Sequence, residues 1–262
     1  MSMVQWLGVG RTETGHLRPT NQDAFTVMND NHLWVVADGM GGHPGGDVAA
    51  QTAVASIARN SRRLFRIDAQ NIEDPGRLIV DLLTAANQEI HEQASGQPAL
   101  YGMGTTAVVM TIASEPKPTL YVAHLGDSRA YLYRDGVLTS LTRDHTLVEE
   151  YIQKGLINLT EARIHPKRHV LTQALGMELD ARPDLTSVPL AQHDVLLLCT
   201  DGLTKMLTDD DIAFLLSKAE NPVRACDDLI EQALARGGED NVTVVVCASR
   251  AGSEQNGPLT TR

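Results

Sequence analysis

The stretch Val35-Val36-Ala37-Asp38-Gly39-Met40-Gly41-Gly42-His43-Pro44-Gly45-Gly46 decides how the rest of the chain is interpreted. An apolar run ends in a carboxylate. The next eight residues include five glycines, which let the backbone bend closely around a ligand. This combination is typical of a functional site and not of a linker.

Three other aspartates have similar settings. Asp127 follows an apolar run, Asp201 follows another, and Asp240 precedes a third, so that with Asp38 four strand ends each present an aspartate. Carboxylate oxygens that converge without a cluster of His or Cys suit a hard divalent cation such as Mg²⁺ or Mn²⁺. Taken singly, each aspartate could equally be a turn or cap residue.

Length and net charge limit the number of domains and the classes of partner that we expect. The 262 residues suffice for one large domain or two small ones with a sizeable core. The net charge of −11 argues against a general nucleic-acid surface, which needs a basic face. Without a basic leader or an apolar run of about 18 residues, the sequence predicts no membrane segment and a cytoplasmic location. Three separated cysteines in apolar segments predict reduced core thiols.

Hydrophobic periodicity predicts blocks of strands that alternate with pairs of helices, which favours an α+β fold. Asp74 and Pro75 predict the start of a helix, as do Thr208 and Asn221. Strands joined by short turns between residues 105 and 141 are expected to be antiparallel. The predicted strands are 4–9, 24–28, 33–37, 105–113, 119–125, 130–133, 137–141, 185–189, 195–199 and 242–247, with helices over about 47–64, from 74 and over 147–154.

Six motifs, in this order, resemble those of the metal-dependent protein phosphatases, the PPM or type 2C family. They are Arg18-Pro19-Thr20-Asn21-Gln22-Asp23, Asp38-Gly39-Met40-Gly41-Gly42, Gly104-Thr105-Thr106, Gly126-Asp127-Ser128-Arg129, Thr200-Asp201-Gly202 and Asp240-Asn241. The resemblance covers about residues 8–248. The Asp-Gly-Met-Gly-Gly version of the loop, residues 38–42, resembles that of bacterial members. It implies a four-layer α-β-β-α sandwich of two antiparallel sheets flanked by helices. It also implies a single catalytic domain over 1–249, with a flap over about 143–176 and a polar, disordered tail over 250–262.

The resemblance also implies a set of metal ligands for two core ions, Mn²⁺ or Mg²⁺. Asp38 would bridge both ions and Gly39 would offer its backbone carbonyl. Asp201 and Asp240 would hold one ion, and Asp23 would support the other through water. Asp127, with Asp201, matches the ligands of a third, weaker ion; the alternative is a turn residue paired with Arg129.

Other residues match supporting positions. Arg18 matches the phosphate-binding arginine, whose planar fork grips two phosphoryl oxygens, although it could be a solvated surface residue. Asn241 is expected to orient Asp240 or its loop. Met40 stands where some relatives carry a histidine regarded as the general acid. His43 is then a candidate general acid; a packed or hydrogen-bonded His43 and metal-bound water are the alternatives.

The implied activity is hydrolysis of phosphoserine and phosphothreonine in proteins by a metal-activated water, opposing a serine/threonine kinase. Hydrolysis of a small phosphoester and phosphoprotein binding without turnover are the alternatives. Phosphoproteins are thus the expected partners, and we expect a monomer that binds neither nucleic acid nor membrane. Within the flap, Lys167 and Arg168, flanked by His165 and His169, could attract a phosphorylated segment or could simply be solvated.

Overall fold

The computed structural model describes residues 5–40, 45–67, 74–114 and 117–250, with side chains at 63–67 and 250 left undescribed. His43 and the predicted tail beyond Arg250 lie outside these residues. The division into a single domain with a flap stays a prediction.

The described residues form ten strands and seven α-helices. The strands are β1 (Gln5–Glu13), β2 (Asp23–Met28), β3 (Leu33–Asp38), β4 (Ala107–Ala113), β5 (Thr119–Leu125), β6 (Arg129–Arg134), β7 (Val137–Ser140), β8 (Asp184–Pro189), β9 (Val195–Cys199) and β10 (Val242–Arg250). The helices are α1 (Gly46–Ile67), α2 (Pro75–Gly96), α3 (Leu147–Gln153), α4 (Leu159–Ile164), α5 (Asp201–Thr204), α6 (Asp209–Lys218) and α7 (Pro222–Ala235).

The strands build two antiparallel sheets of five strands each. One has the order β1-β10-β9-β6-β7 and the other the order β2-β3-β4-β5-β8. Trp6 of the first sheet and Trp34 of the second lie in the apolar layer between the sheets. Helices α1 and α2 cover the second sheet, while α6 and α7 cover the first. The predicted α-β-β-α sandwich is therefore confirmed.

The connection from β5 to β6 corrects one expectation. Its short turn predicted an antiparallel pair, but β5 and β6 belong to different sheets. Gly126 has a φ of +102°, and a β-carbon there would lie 2.6 Å from the side chain of Thr106. Only glycine allows the chain to turn this closely against Thr106. The turn therefore crosses between the sheets and carries Asp127 with it.

The N-terminal strand also differs from the prediction. β1 continues to Glu13 because it pairs with β10 along its whole length, although polar residues 11–13 indicated a loop. Arg11 reaches Asp227 of α7 with 3.0 Å between the charged atoms. Tertiary pairing therefore overrides the polar pattern.

Two short helices were not predicted. α4 begins with a capping box formed by Asn158 and Glu161. α5 occupies four residues directly after β9. Both are too short to produce a visible 3.6-residue period.

The buried thiols agree with the prediction, since Cys199, Cys226 and Cys247 are free and buried. Within the described parts of the chain, no helix is long and apolar enough to cross a membrane.

Candidate metal centre

The β2–β3 pair places two carboxylates side by side. Asp23 and Asp38 are direct partners in the antiparallel register. The hydrogen bond from Gly39 N–H to the Gln22 carbonyl, 3.1 Å, continues this pairing beyond the strands. Directly opposite side chains in such a pair point to the same face of the sheet. Two of the predicted ligands are therefore brought together by strand register alone.

Asp23 joins the two sheets. Its Oδ2 accepts hydrogen bonds from the hydroxyls of Thr243 in β10 of the opposite sheet, 2.6 Å, and of Thr200, directly after β9 of that sheet, 2.9 Å. Its Oδ1 is buried and has no hydrogen-bond partner among the described residues. Burial raises the pKa of Asp23 to about 7, although the two threonine hydrogen bonds act in the opposite direction.

Asp38 is held through its backbone. Its N–H donates to the Thr106 hydroxyl at 3.1 Å, and its carbonyl accepts from the Thr105 hydroxyl at 2.8 Å. Burial raises the pKa of Asp38 well above its usual range, and the charges of Asp23 and Asp201 raise it further. Burial therefore makes the charged form of Asp38 costly, and a cation that binds against it stabilises that form.

Gly39 allows the loop after Asp38 to pack tightly. A β-carbon at this position would lie 2.2 Å from the carbonyl oxygen of Gly46. Any side chain would therefore push the N-terminus of α1 away from β3. The glycine that the family pattern places at the metal is, in this fold, also required by close backbone packing.

Asp201 is the first residue of α5 and lies beside the β10 loop. A β-carbon at Gly202 would lie 1.9 Å from the carbonyl oxygen of Asn241, so the close approach of α5 to this loop requires glycine. Asp201 Oδ1 is buried without a hydrogen-bond partner among the described residues. Its Oδ2 lies 2.6 Å from the ammonium of Lys205, one turn further along.

Asp240 is surrounded by cations. Arg18 Nε lies 2.7 Å from its Oδ1 and Arg18 Nη2 lies 2.9 Å from its Oδ2. The Lys205 ammonium lies 2.8 Å from the same Oδ2. Although burial acts to raise it, the pKa of Asp240 is lowered by Lys205 and Arg18.

Asn241 organises the loop that carries Arg18. Its side-chain amide donates to the carbonyls of Thr14, 2.8 Å, and Thr20, 2.9 Å, and its Oδ1 accepts from Gln22 N–H at 2.9 Å. The expected orienting role is thus directed mainly at the 14–22 loop, while toward Asp240 the Asn241 backbone N–H donates to the side-chain Oδ1 at 3.0 Å.

Asp127 lies at the crossing between the sheets. Burial raises its pKa to about 8, and the charge of Asp201 acts in the same direction. The alternative that Asp127 pairs with Arg129 is wrong, because Arg129 forms two hydrogen bonds of 2.7 Å with Asp144.

These residues fit a centre for divalent ions. The donors are carboxylate oxygens, and the unpartnered, buried Oδ1 atoms of Asp23 and Asp201 need a cation or a donor. The structure thus provides the chemistry that the sequence predicted. Coordination by Asp23, Asp38, Gly39, Asp127, Asp201 and Asp240 belongs to the proposal below.

Sequence reasoning missed the roles of four residues at the site. Thr243 and Thr200 hold Asp23, but a threonine next to a strand carries no signal of such a role. Lys205 stands four residues after Asp201, and this spacing places both side chains on one face of a helical turn. His169 was noted only as part of the basic run. Its pKa is lowered by burial and by Lys205, while Asp201 and Asp240 act to raise it, so the flap lies beside the centre.

A second cluster combines His124, His145 and Asp184. The two rings stack with centroids 4.6 Å apart and planes inclined by 24°. One ligand atom of each of the three residues lies within 4.8 Å of the others, but one ring nitrogen of each histidine already has a backbone partner. His124 Nε2 contacts the Arg143 carbonyl at 2.7 Å, and His145 Nδ1 accepts from Gly126 N–H at 3.3 Å. We interpret this cluster as the anchor of residues 143–145 on β5.

Comparison with known proteins agrees with this geometry. The family model described as Protein phosphatase 2C matches residues 14–236. A serine/threonine phosphatase stp of Listeria monocytogenes is 36% identical over 240 residues, which cover 90% of this chain and 93% of that protein.

Solved structures of related enzymes share the fold. The Mycobacterium tuberculosis serine/threonine phosphatase PstP/Ppp superposes with a TM-score of 0.83 at 36% identity, covering 94% of this chain and 98% of that one. The catalytic domain of PstP in complex with two manganese ions gives a TM-score of 0.81 at 35% identity, covering 94% and 99%. The chain belongs to the protein phosphatase 2C family, as its motifs predicted.

The contact at Gly202 generates a prediction. Gly202→Ala should lower the free energy of unfolding by about 2 kcal/mol or more, because the methyl group would overlap the Asn241 carbonyl. It should also weaken Mn²⁺ binding at least about tenfold, since Asp201 and Asp240 would move apart. Urea denaturation and calorimetric titration with Mn²⁺ measure the two effects.

Gly96→Ala is the matched control. A β-carbon at Gly96, at the end of α2, meets nothing within 4 Å. This variant should keep both stability and Mn²⁺ affinity. Equal behaviour of the two variants would contradict the role given to the Gly202 contact.

Proposed function

We propose that this protein hydrolyses phosphoserine and phosphothreonine in other proteins, with two Mn²⁺ or Mg²⁺ ions as cofactors. The observation that carries the proposal is the convergence of Asp23, Asp38, Asp201 and Asp240 at one end of the sandwich, with unpartnered buried oxygens. Family membership over residues 14–236 supports the same activity. The named phosphatase relatives support phosphoproteins as partners and a serine/threonine kinase as the opposing enzyme.

The ligands divide between the ions as the family pattern implies. Asp38 and the Gly39 carbonyl would help hold both ions, Asp201 and Asp240 would hold one of them, and Asp23 would support the other through water. When bound, the two ions activate a water molecule and neutralise charge on the phosphoryl oxygens. Asp127 and Asp201 are the carboxylates available to a third, weaker ion.

Arg18 is the residue we assign to the phosphate. Its side chain is 41% exposed, and the hydrogen bonds to Asp240 orient the guanidinium plane at the edge of the carboxylate cluster. A planar fork held in this way can donate to two phosphoryl oxygens from its outer side. Asn241 contributes by fixing the 14–22 loop on which Arg18 is carried.

The proton for the leaving alkoxide has two histidine candidates. Met40 cannot donate it, and its backbone N–H binds the Gly104 carbonyl at 3.0 Å. His43 stays the candidate from the sequence. His169 is a second one, because it is exposed on the flap yet responds to the charges of Asp201 and Asp240.

The flap is suited to binding the protein part of the substrate. Lys167 and Arg168 are exposed, and they directly precede His169. The charges of Asp201 and Asp240 act on the pKa of His169. Their positive charge offers an attractive surface in a protein of net charge −11. A small aryl phosphate would reach the ions and Arg18 without touching this surface.

The alternatives are weaker. A phosphoprotein-binding protein without turnover has no need for buried carboxylates with unpartnered oxygens. Hydrolysis of a small phosphoester would use the same ions, but it gives no role to the exposed basic residues of the flap.

We also propose that the protein is a monomer and that it acts in the cytoplasm.

Asp38→Asn tests the metal-dependent reaction. We expect turnover of a phosphothreonine peptide to fall by roughly three orders of magnitude, because a bridging ligand serves both ions. The fold should persist, as judged by circular dichroism. Chelation of the wild-type protein should abolish phosphate release, and Mn²⁺ should restore it.

Asp30→Asn, at an exposed position in the β2–β3 turn, is the control and should retain full activity. Metal-independent turnover after exhaustive chelation, or an active Asp38→Asn variant, would contradict the proposal.

The double variant Lys167→Gln, Arg168→Gln tests the flap. The KM for a phosphopeptide should rise about tenfold, while the KM for p-nitrophenyl phosphate should stay the same, because only the peptide reaches the flap. Steady-state kinetics on both substrates measure the difference.

Lys154→Gln combined with Arg163→Gln removes the same charge from α3 and α4 and should leave both KM values unchanged. If the Lys167 and Arg168 variant affects both substrates equally, or neither, the flap does not select the substrate.

A further inference from the structure

The Lys205 side chain reaches the centre of the carboxylate cluster. Its ammonium lies 2.6 Å from Asp201 Oδ2 and 2.8 Å from Asp240 Oδ2. These two aspartates are the ligands assigned above to one and the same core ion. A single side-chain cation therefore bridges the carboxylates that this ion needs.

Local structure holds the lysine in this place. The backbone N–H of Lys205 donates to the Asp201 carbonyl at 2.8 Å, which closes the α5 turn and puts both side chains on one face. Gly202 brings the same turn against the loop of Asp240. The Lys205 side chain is only 25% exposed, so the ammonium is largely withdrawn from water.

The ammonium and a divalent ion need the same oxygens. Asp240 Oδ2 already accepts from both Lys205 and Arg18, and its Oδ1 accepts from Arg18 and from Asn241 N–H. An ion that binds Asp240 must displace at least one of these donors. The ammonium and a divalent ion that bind the same carboxylate also repel each other, and this repulsion is stronger in a partly buried site than in water.

We propose that Lys205 is a tethered cation that competes with the divalent ion for Asp201 and Asp240, and thereby sets how tightly this enzyme holds its metal. The proposal rests on the ligand assignment in the proposed function. Lys205 stabilises the ligand cluster before an ion binds, and it must leave Asp240 when the ion binds. The enzyme therefore loads its metal only at higher divalent-ion concentrations than the carboxylates alone would require.

The charge of Lys205 acts on the other ligands as well. It opposes the rise in the pKa of Asp38 and of Asp127 that burial causes. Asp127 is the residue assigned to a third, weaker ion.

Lys205→Met is the decisive variant, because methionine keeps most of the apolar stem and removes the charge. Calorimetric titration of the chelator-treated protein should show Mn²⁺ binding about tenfold tighter or more than in wild type. The chelated variant should melt at a lower temperature than wild type, and saturating Mn²⁺ should raise its Tm by a larger increment. An unchanged or weaker Mn²⁺ affinity would overturn the proposal.

Lys154→Met is the matched control. Lys154 also pairs with a carboxylate four residues away, Glu150, at 3.1 Å, but it caps the C-terminus of α3 and has no ion pair with a proposed metal ligand. Its Mn²⁺ affinity should equal that of wild type. If Lys205→Met does not fold, Lys205→Gln replaces it with the same expectation.

A crystal structure of the wild-type protein with Mn²⁺ gives an independent answer. The distance from Lys205 Nζ to Asp240 Oδ2 should grow beyond 4 Å. An ammonium that keeps hydrogen bonds to both carboxylates beside two bound ions would overturn the competition. Failure of wild type to bind any Mn²⁺ would instead contradict the ligand assignment, so the two proposals can fail separately.

Discussion

Carboxylates gathered at one end of a sandwich need positive charge close by, and this requirement governs the whole site. Burial raises the pKa of Asp23, Asp38 and Asp127, which means that their charged forms are costly without a cation. The protein itself supplies Arg18, which pairs with Asp240, and Lys205, which pairs with both Asp201 and Asp240. In the proposed function, divalent ions supply the positive charge on the side of the cluster around Asp23 and Asp38.

The two-sheet architecture brings these carboxylates together. Asp23 and Asp38 come from one sheet, whereas Asp201 and Asp240 adjoin β9 and β10 of the other. The hydroxyls of two threonines in or next to β9 and β10 bind Asp23 of β2, so hydrogen bonds fix the gap between the sheets at the site. Packing of Trp6 and Trp34 fixes the same gap in the interior. Ligand spacing is therefore a consequence of how the two sheets pack.

Much of this could be predicted from the sequence, because several signals are local. β5 and β9 have the predicted bounds, and Asp74 caps α2 as its position before Pro75 indicated. The family pattern predicted the two sheets, and it is also the basis for the proposed set of metal ligands. Non-local features could not be predicted in the same way. The crossing from β5 to β6 depends on how Gly126 packs against Thr106, and pairing of β1 with β10 depends on residues far along the chain.

Lys205 illustrates why the electrostatics of the site escaped prediction. A lysine four residues after an aspartate usually forms a weak surface pair. Here Gly202 lets the α5 turn pack closely against Asn241, a contact that the local sequence does not indicate. This contact brings Asp240 to the same ammonium. The four-residue spacing of Asp201 and Lys205 is ordinary by itself. It matters here because Asp240, just before β10, lies beside the α5 turn.

The flap is connected to the ligands by backbone hydrogen bonds. Thr105 exchanges two with Leu175 at the end of the flap, 3.0 and 2.9 Å, and its hydroxyl binds the Asp38 carbonyl. At the start of the flap, His145 N–H binds the carbonyl of Gly126, next to Asp127, at 2.9 Å. A substrate that shifts the flap therefore acts on the segments that position Asp38 and Asp127. In the proposed function, these contacts couple substrate selection to metal geometry, so we expect changes far out on the flap to alter turnover without touching a proposed ligand.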